Sequence, residues 1–274
     1  VGAAMGYGLG GWLSQTYSWH VAFFAGGAPG LVLAVMAFLM PEPRRGAMDG
    51  PEAQEKLPFL VGLKGLASNK AFWWTTTGYT LMTFSIGGLA FWMPTFLVRE
   101  RGMSADGTGL VFGGITAVAG LLGTVLGGWL GDRMDRKMEG GGLKVSGVGL
   151  LLAAPFMYVA VNLESSAATF ATIFAAQFLI FLNSGPINAA IVNCVPPAFR
   201  AFAMGLNVLC IHLLGDALSP TLIGQVADQS TLGTAIELNA LPVLLGGGAL
   251  LVAGRQLRNA APQATGQADG LIPS

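Results

Sequence analysis

Apolar and polar positions along this chain separate into long blocks, not into short periodic faces. Stretches without any Asp, Glu, Lys or Arg cover residues 1–40, 71–98, 107–131, 145–163, 165–199, 201–215 with 217–227, and 238–254. A helix needs about 20 mostly apolar residues to cross a bilayer, and each stretch can supply one. The first is long enough for two, because LSQTYSWH at 13–20 reads as a polar turn inside it. The pattern therefore predicts eight spans: 1–13, 20–40, 71–97, 107–131, 145–163, 168–195, 201–227 and 238–254, numbered span 1 to span 8 below. Membrane β-strands are segments of about ten residues in strict alternation, and no such alternation occurs. The predicted fold class is an all-α polytopic membrane protein.

Composition agrees. Only 10% of residues are charged and mean hydropathy is +0.62, against about 25% charged in soluble domains. The 41 glycines suit helices that must approach closely where lipid removes the hydrophobic drive for association. Cys194 and Cys210 both fall in spans and suggest no disulfide framework. The opening VGAAMGYGLGG already sits inside a Gly-rich apolar stretch, which predicts a start within a helix of a longer protein.

The net charge is zero, yet the loops are asymmetric. Of the 14 basic residues, only Arg99 and Arg101 lie on one side. The other twelve lie in 41–70, 132–144, 196–200 and the tail after 254, on the opposite side. The positive-inside rule makes that basic side cytoplasmic, with the C-terminus on it. The segment 41–70, rich in Pro, Gly and charge, reads as a cytoplasmic linker with a short surface helix around 57–67. Residues 1–40 are then the last two spans of one helical half, 71–258 a complete six-helix half, and 259–274 a disordered cytoplasmic tail.

Several motifs carry candidate chemistry. The turn between spans 4 and 5 reads GGWLGDRMDRK (127–137). Gly128, Asp132, Arg133 and Lys137 resemble the major facilitator loop motif G-x-x-x-D-[RK]-x-G-x-[RK]-[RK], with Asp135 and Met138 departing from it. A tight turn with Asp132 near a neighbouring helix N-terminus would make a conformational latch; the plainer reading is an ordinary basic turn. Tyr79, Thr83 and Phe91 in span 3 are candidates to line a cavity, although threonines also bond back to their own helix. In span 6, Asn183 and Asn188 are candidates for substrate contact or for inter-helix hydrogen bonds. Gly185 and Pro186 predict a kink in the middle of that span.

Span 7 contains HLLGDALSP (212–220). His212 and Asp216 are one helical turn apart on the same face, and both are costly at membrane depth. Pro220 has no N–H to give the carbonyl of residue 216, so the helix should bend there with that carbonyl unpaired. The cluster reads as a protonation or headgroup-binding site, or as a satisfied pair that fixes helix packing.

With these residues in view, the chain resembles the Spinster transporters, a branch of the major facilitator superfamily. HLLGDALSPTLIGQVAD (212–228) is similar to their H-L-L-G-D-A-x-S-P-x-L-I-G-x-x-S-D stretch. WHVAFFAGGAPGLVLAVMAFLMPEPRRG (19–46), GGLAFWMPTFLVR (87–99) and PPAFRAFAMG (196–205) are similar to further segments of that family. The opening GAAMGYGLGGWL (2–13) resembles the end of a Gly-rich fifth-helix motif of exporters. The resemblance implies a fold of two six-helix halves related by an axis along the membrane normal. It places the principal proton-coupling residues in the first and fourth helices, outside this chain. Animal members carry an acidic residue where Ala189 stands here.

What the resemblance implies is a secondary transporter moving an amphipathic lipid, lysophospholipid or sphingoid-like, by proton-coupled alternating access. It would sit as a monomer in a bacterial inner membrane, with membrane lipids, its substrate and protons as partners and no nucleic acid. The alternative within transport is a carrier for a small organic anion, sugar acid or drug. Such a site should gather Arg or Lys at mid-span, and no span here holds one. A different class is a non-transporting membrane sensor or assembly partner. No enzyme is expected, since the sequence shows no nucleophile–base set, metal-ligand spacing or nucleotide loop. It has two histidines, His20 and His212. No cofactor and no metal are expected.

Overall fold

In lipid every backbone polar group must be paired within its own segment, which leaves the long apolar blocks only the helix. The computed structural model describes residues 10–41 and 58–268, and these are helical with short connections. In chain order the helices are α1 Gly11–Thr16, α2 Trp19–Leu39, α3 Phe59–Ala67, α4 Lys70–Arg99, α5 Ala105–Asp135, α6 Gly141–Asn162, α7 Ser166–Phe181, α8 Ser184–Asn193, α9 Arg200–Cys210, α10 Ser219–Gln229, α11 Leu232–Leu238 and α12 Ala240–Ala268. Residues 211–216 between α9 and α10 form a π-turn. Seven segments are long and apolar enough to cross a membrane, matching spans 2–8; span 1 falls almost wholly outside the described residues. The protein is an integral membrane protein.

The ends of the helices are set by local chemistry. Ser18 accepts a bond from the Val21 N–H and starts α2. Asn69 accepts from the Phe72 N–H at 2.9 Å and starts α4. Such caps satisfy one of the orphan donors of a first turn. The surface helix expected near 57–67 is α3. The polar turn expected over 13–20 is narrower, because α1 runs to Thr16 and α2 begins at Trp19. At the other end, α12 continues to Ala268, so 259–268 is helical where a disordered tail was expected. Its alanines (Ala260, Ala261, Ala264) are strong helix formers.

Helices α4 to α12 form one six-span bundle. Its buried centre includes Phe72, Phe96, Phe112, Leu143, Leu150, Ile187 and Val243. Apolar side chains such as Leu121, Val125, Tyr158 and Leu245 stand exposed, as a lipid-facing surface requires. Glycine decides how the bundle closes on α12. A Cβ at Gly78 would stand 3.0 Å from the Gly246 carbonyl, and one at Gly246 would stand 3.1 Å from the Gly78 carbonyl. Gly147 and Gly247 repeat this reciprocal contact on α6 at 2.8 and 2.9 Å. Backbones meet there with nothing between them, so any side chain would push the helices apart. By contrast α2 buries none of its residues.

Candidate functional site

Two of the spans are broken, and the breaks organise the site. Span 6 divides into α7 and α8 around Leu182 and Asn183, just before Gly185 and Pro186, where the kink was expected. Pro186 cannot bond the Leu182 carbonyl. That carbonyl lies against Gly127 of α5, where a Cβ would overlap it. A Cβ at Gly185 would likewise stand 3.3 Å from the Cα of Gly128. Gly128 of the predicted latch and Gly185 of the predicted kink are therefore two sides of one helix crossing.

Span 7 breaks differently. Ala217 N–H bonds the His212 carbonyl at 3.0 Å, five residues back, which defines the π-turn. Such turns are one-residue insertions into a helix and occur often at functional sites. His212 Nδ1 lies 2.9 Å from Asp216 Oδ2. The second carboxylate oxygen, Oδ1, is enclosed without a hydrogen-bond partner among the described residues. The Asp216 main-chain carbonyl, which Pro220 leaves without a helical donor, accepts instead from the Ser219 hydroxyl at 3.4 Å. Ser219 is fully buried. The helix is interrupted ahead of Pro220, but the carbonyl expected to be unpaired has a partner.

Asp216 owes its place to α4. A Cβ on Gly87 would stand 2.8 Å from the Asp216 Cα and 2.8 Å from Ser219 Oγ, so only glycine lets the π-turn lie on this helix. Gly215 meets α4 in the same way, its would-be Cβ 3.2 Å from Thr83 Cβ. Thr83, Gly215 and Asp216 are thus brought together. Thr83 Oγ1 donates to the Tyr79 carbonyl at 2.8 Å, the back-bonding reading of that threonine. Phe91 is exposed one turn beyond Gly87 and meets Trp92 edge-on at 5.1 Å between ring centroids. The His212 side chain is 64% exposed and that of Asp216 38% exposed, so the pair opens on an uncovered face of the bundle.

The two asparagines do not join this cluster. Asn188 donates to the Ser184 carbonyl at 2.7 Å on its own helix. Asn183 is fully buried at the break of span 6, with neither end of its amide bonded among the described residues. In the turn between spans 4 and 5 the carboxylate at a helix N-terminus is Asp135, whose Oδ1 accepts from the Gly142 N–H at 2.8 Å. Asp132, expected in that role, is exposed and makes no side-chain hydrogen bond among the described residues. Arg133 lies over the Trp129 ring at 5.6 Å, and Lys137 is exposed.

The sequence reading missed Ser219, Gly215 and Trp92; it took Gly87, with Gly88 and Pro94, as a place for span 3 to bend and missed its contact with the π-turn. Ser219 adjoins the helix-breaking proline, which was the available signal. It also missed a cavity of about 850 Å³ at the basic end of the bundle, lined by Asn69, Lys70, Asp135, Glu139, Asn193 and Gln256 among others. Among the described residues no group of His, Cys, Asp and Glu could hold a metal ion.

The molecule is a bundle of six spans with small-residue crossings, two proline-broken helices and a polar pair at mid-span. Residues 1–220 match the Major Facilitator Superfamily, and the chain belongs to that family. Within it the chain is 34% identical over 247 residues to protein spinster homolog 3 of Danio rerio, covering 84% of this chain and 49% of that protein. It is 31% identical to protein spinster homolog 1 of Xenopus tropicalis, covering 100% of this chain and 58% of that protein. The chain thus spans about half the length of these curated relatives. Among solved structures, it superposes on a bacterial homologue of the human lysosomal transporter Spinster, inward-facing and unoccupied, with a TM-score of 0.71. The identity there is 21%, covering 90% of this chain and 62% of that one. The E. coli fucose:proton symporter gives a TM-score of 0.63 at 15% identity, covering 87% of this chain and 57% of its own.

Proposed function

We propose that this chain belongs to a secondary transporter that carries an amphipathic lipid, of lysophospholipid or sphingoid type, across a bacterial inner membrane. The observation that carries this reading is the His212–Asp216 pair, 2.9 Å apart, on an otherwise apolar bundle face. One headgroup-sized polar point in an apolar wall suits a molecule with a single polar end. A sugar-acid site would need Lys or Arg at mid-span, and the described spans hold none there. A relative from Arabidopsis thaliana, 29% identical over 83% of this chain and 49% of its own length, is named "Probable sphingolipid transporter spinster homolog 2", which supports the same substrate class.

The halves rock about the central cavity, proton movement is coupled to the cycle, and His212 and Asp216 form part of the cavity wall. The turn with Gly128, Arg133 and Lys137, its Asp135 capping the Gly142 N–H, closes the cytoplasmic side, the side on which the C-terminus lies. The test is uptake of labelled lysolipid by the full-length protein in proteoliposomes, with and without a pH gradient. Lysolipid flux that responds to the gradient is expected. Robust sugar-acid flux with none of lysolipid would sink the reading.

A further inference from the structure

Span 7 is made of two parts that different neighbours hold. Its outer part, α10, is fixed to α4. Trp92 Nε1 donates to the Pro220 carbonyl at 2.8 Å, Ile223 fills the space that a Cβ on Gly88 would need, and a Cβ on Gly224 would stand 2.9 Å from the Trp92 ring. Helix α4 is itself tied to the next elements. Ser85 Oγ donates to the Asn239 carbonyl at 2.8 Å, and Glu100 accepts the N–H groups of Leu232 and Gly233 at 2.8 and 3.0 Å.

The inner part, α9, buries only Ala203 and Asn207. It packs on α8 and α4 and also on the linker helix α3. The Phe202 ring lies 2.8 Å from where a Cβ on Gly62 would stand, the Phe199 ring occupies the same place at Gly65, and Phe59 meets Phe202 edge-on at 5.6 Å. Between the two parts lies the π-turn, which holds one residue more than an α-turn. Conversion to α would rotate one part against the other by about 100° and lengthen the span by about 1.5 Å. Pro220 lowers the cost of that change. It has no N–H for the carbonyl four or five residues back, so neither register loses a bond there. What must open is the 3.4 Å contact from Ser219 to the Asp216 carbonyl, together with the close packing of Gly215 and Asp216 on Thr83 and Gly87 of α4.

We propose that span 7 is a two-part helix whose inner half turns against its clamped outer half at the π-turn, and that the linker helix drives the turn. Because the linker joins the two halves of a transporter, their rocking would pull α3, α3 would carry Phe199 and Phe202, and His212 would swing relative to Asp216. The consequence for transport rests on the reading given under Proposed function; the movement itself does not.

The test uses spin labels on the full-length protein with Cys194 and Cys210 replaced by Ser. One pair joins exposed Leu209 of α9 to exposed Leu245 of α12; the control pair joins Leu222 of α10 to Leu245. The expected result is two distance populations for the first pair, differing on the order of 10 Å for a label on the helix rim, and one for the control. Gly65→Leu, which displaces Phe199 from the linker helix, shifts the balance between the two. Gly109→Leu, at an open position, leaves it unchanged. If Gly65→Leu does not fold, Phe199→Ala makes the same cut. A single population for both pairs overturns the proposal, as does a balance that neither linker variant moves. No substrate is needed, so a failure of the lipid assay and a failure here are told apart.

Discussion

Asp216 has one carboxylate oxygen bonded to His212 and the other enclosed without a partner among the described residues. An enclosed acceptor left without a donor costs about 1–3 kcal/mol. Asp216→Asn keeps the size and offers an N–H₂ in place of one oxygen. The expected outcome is a folded protein whose flux has lost or shifted its pH dependence, read in proteoliposomes over a range of pH. A drop in folded yield with an unaltered pH profile would make the pair structural. At Gly127 the expectation is different. A side chain there overlaps the Leu182 carbonyl, and overpacking of a close crossing costs typically 1–3 kcal/mol. Gly127→Leu should lower the thermal midpoint of the protein in detergent. The polar pair was legible because His and Asp stand out in an apolar run. Gly87 and Gly127 were not, since one glycine among 41 reveals its neighbour only when the helices are packed.

At the scale of elements, turn chemistry governs. Gly140 has φ +68° and lies against Gly254, whose Cα would be 2.8 Å from an added Cβ. Alanine there meets both the left-handed penalty and the contact, on the order of 2–4 kcal/mol together, which thermal unfolding should register. Glu100→Ala frees two N–H groups at the start of α11 and should cost about 1 kcal/mol, with faster hydrogen exchange at Leu232 and Gly233. Span existence and the two breaks were legible from block length and proline position. The kind of break was not. A proline shows which N–H is missing, but whether the chain answers with a π-turn depends on what waits on the facing helix.

For the whole molecule the charge asymmetry makes a topological prediction. Arg136→Cys should react with a membrane-impermeant maleimide only after cells are opened, and Ser165→Cys should react in intact cells. The opposite pattern would invert the orientation. The six-span bundle could be read from hydropathy because lipid leaves the backbone a single solution. The cavity at the basic end could not, since it is lined by residues from four separate stretches: Gly65–Ala71, Asp135–Leu143, Ala190–Cys194 and Gln256–Leu257.

Both broken spans carry a carbonyl that a proline has stripped of its donor, and the two are answered in unlike ways. The Leu182 oxygen meets a glycine backbone, which has no alternative position. The Asp216 oxygen meets a hydroxyl, which can rotate off and return. One break is a weld and the other a joint. Isotope-edited infrared spectroscopy can tell them apart: a ¹³C label on the Leu182 carbonyl should give one narrow amide band throughout the cycle, and a label on the Asp216 carbonyl should give two that exchange intensity.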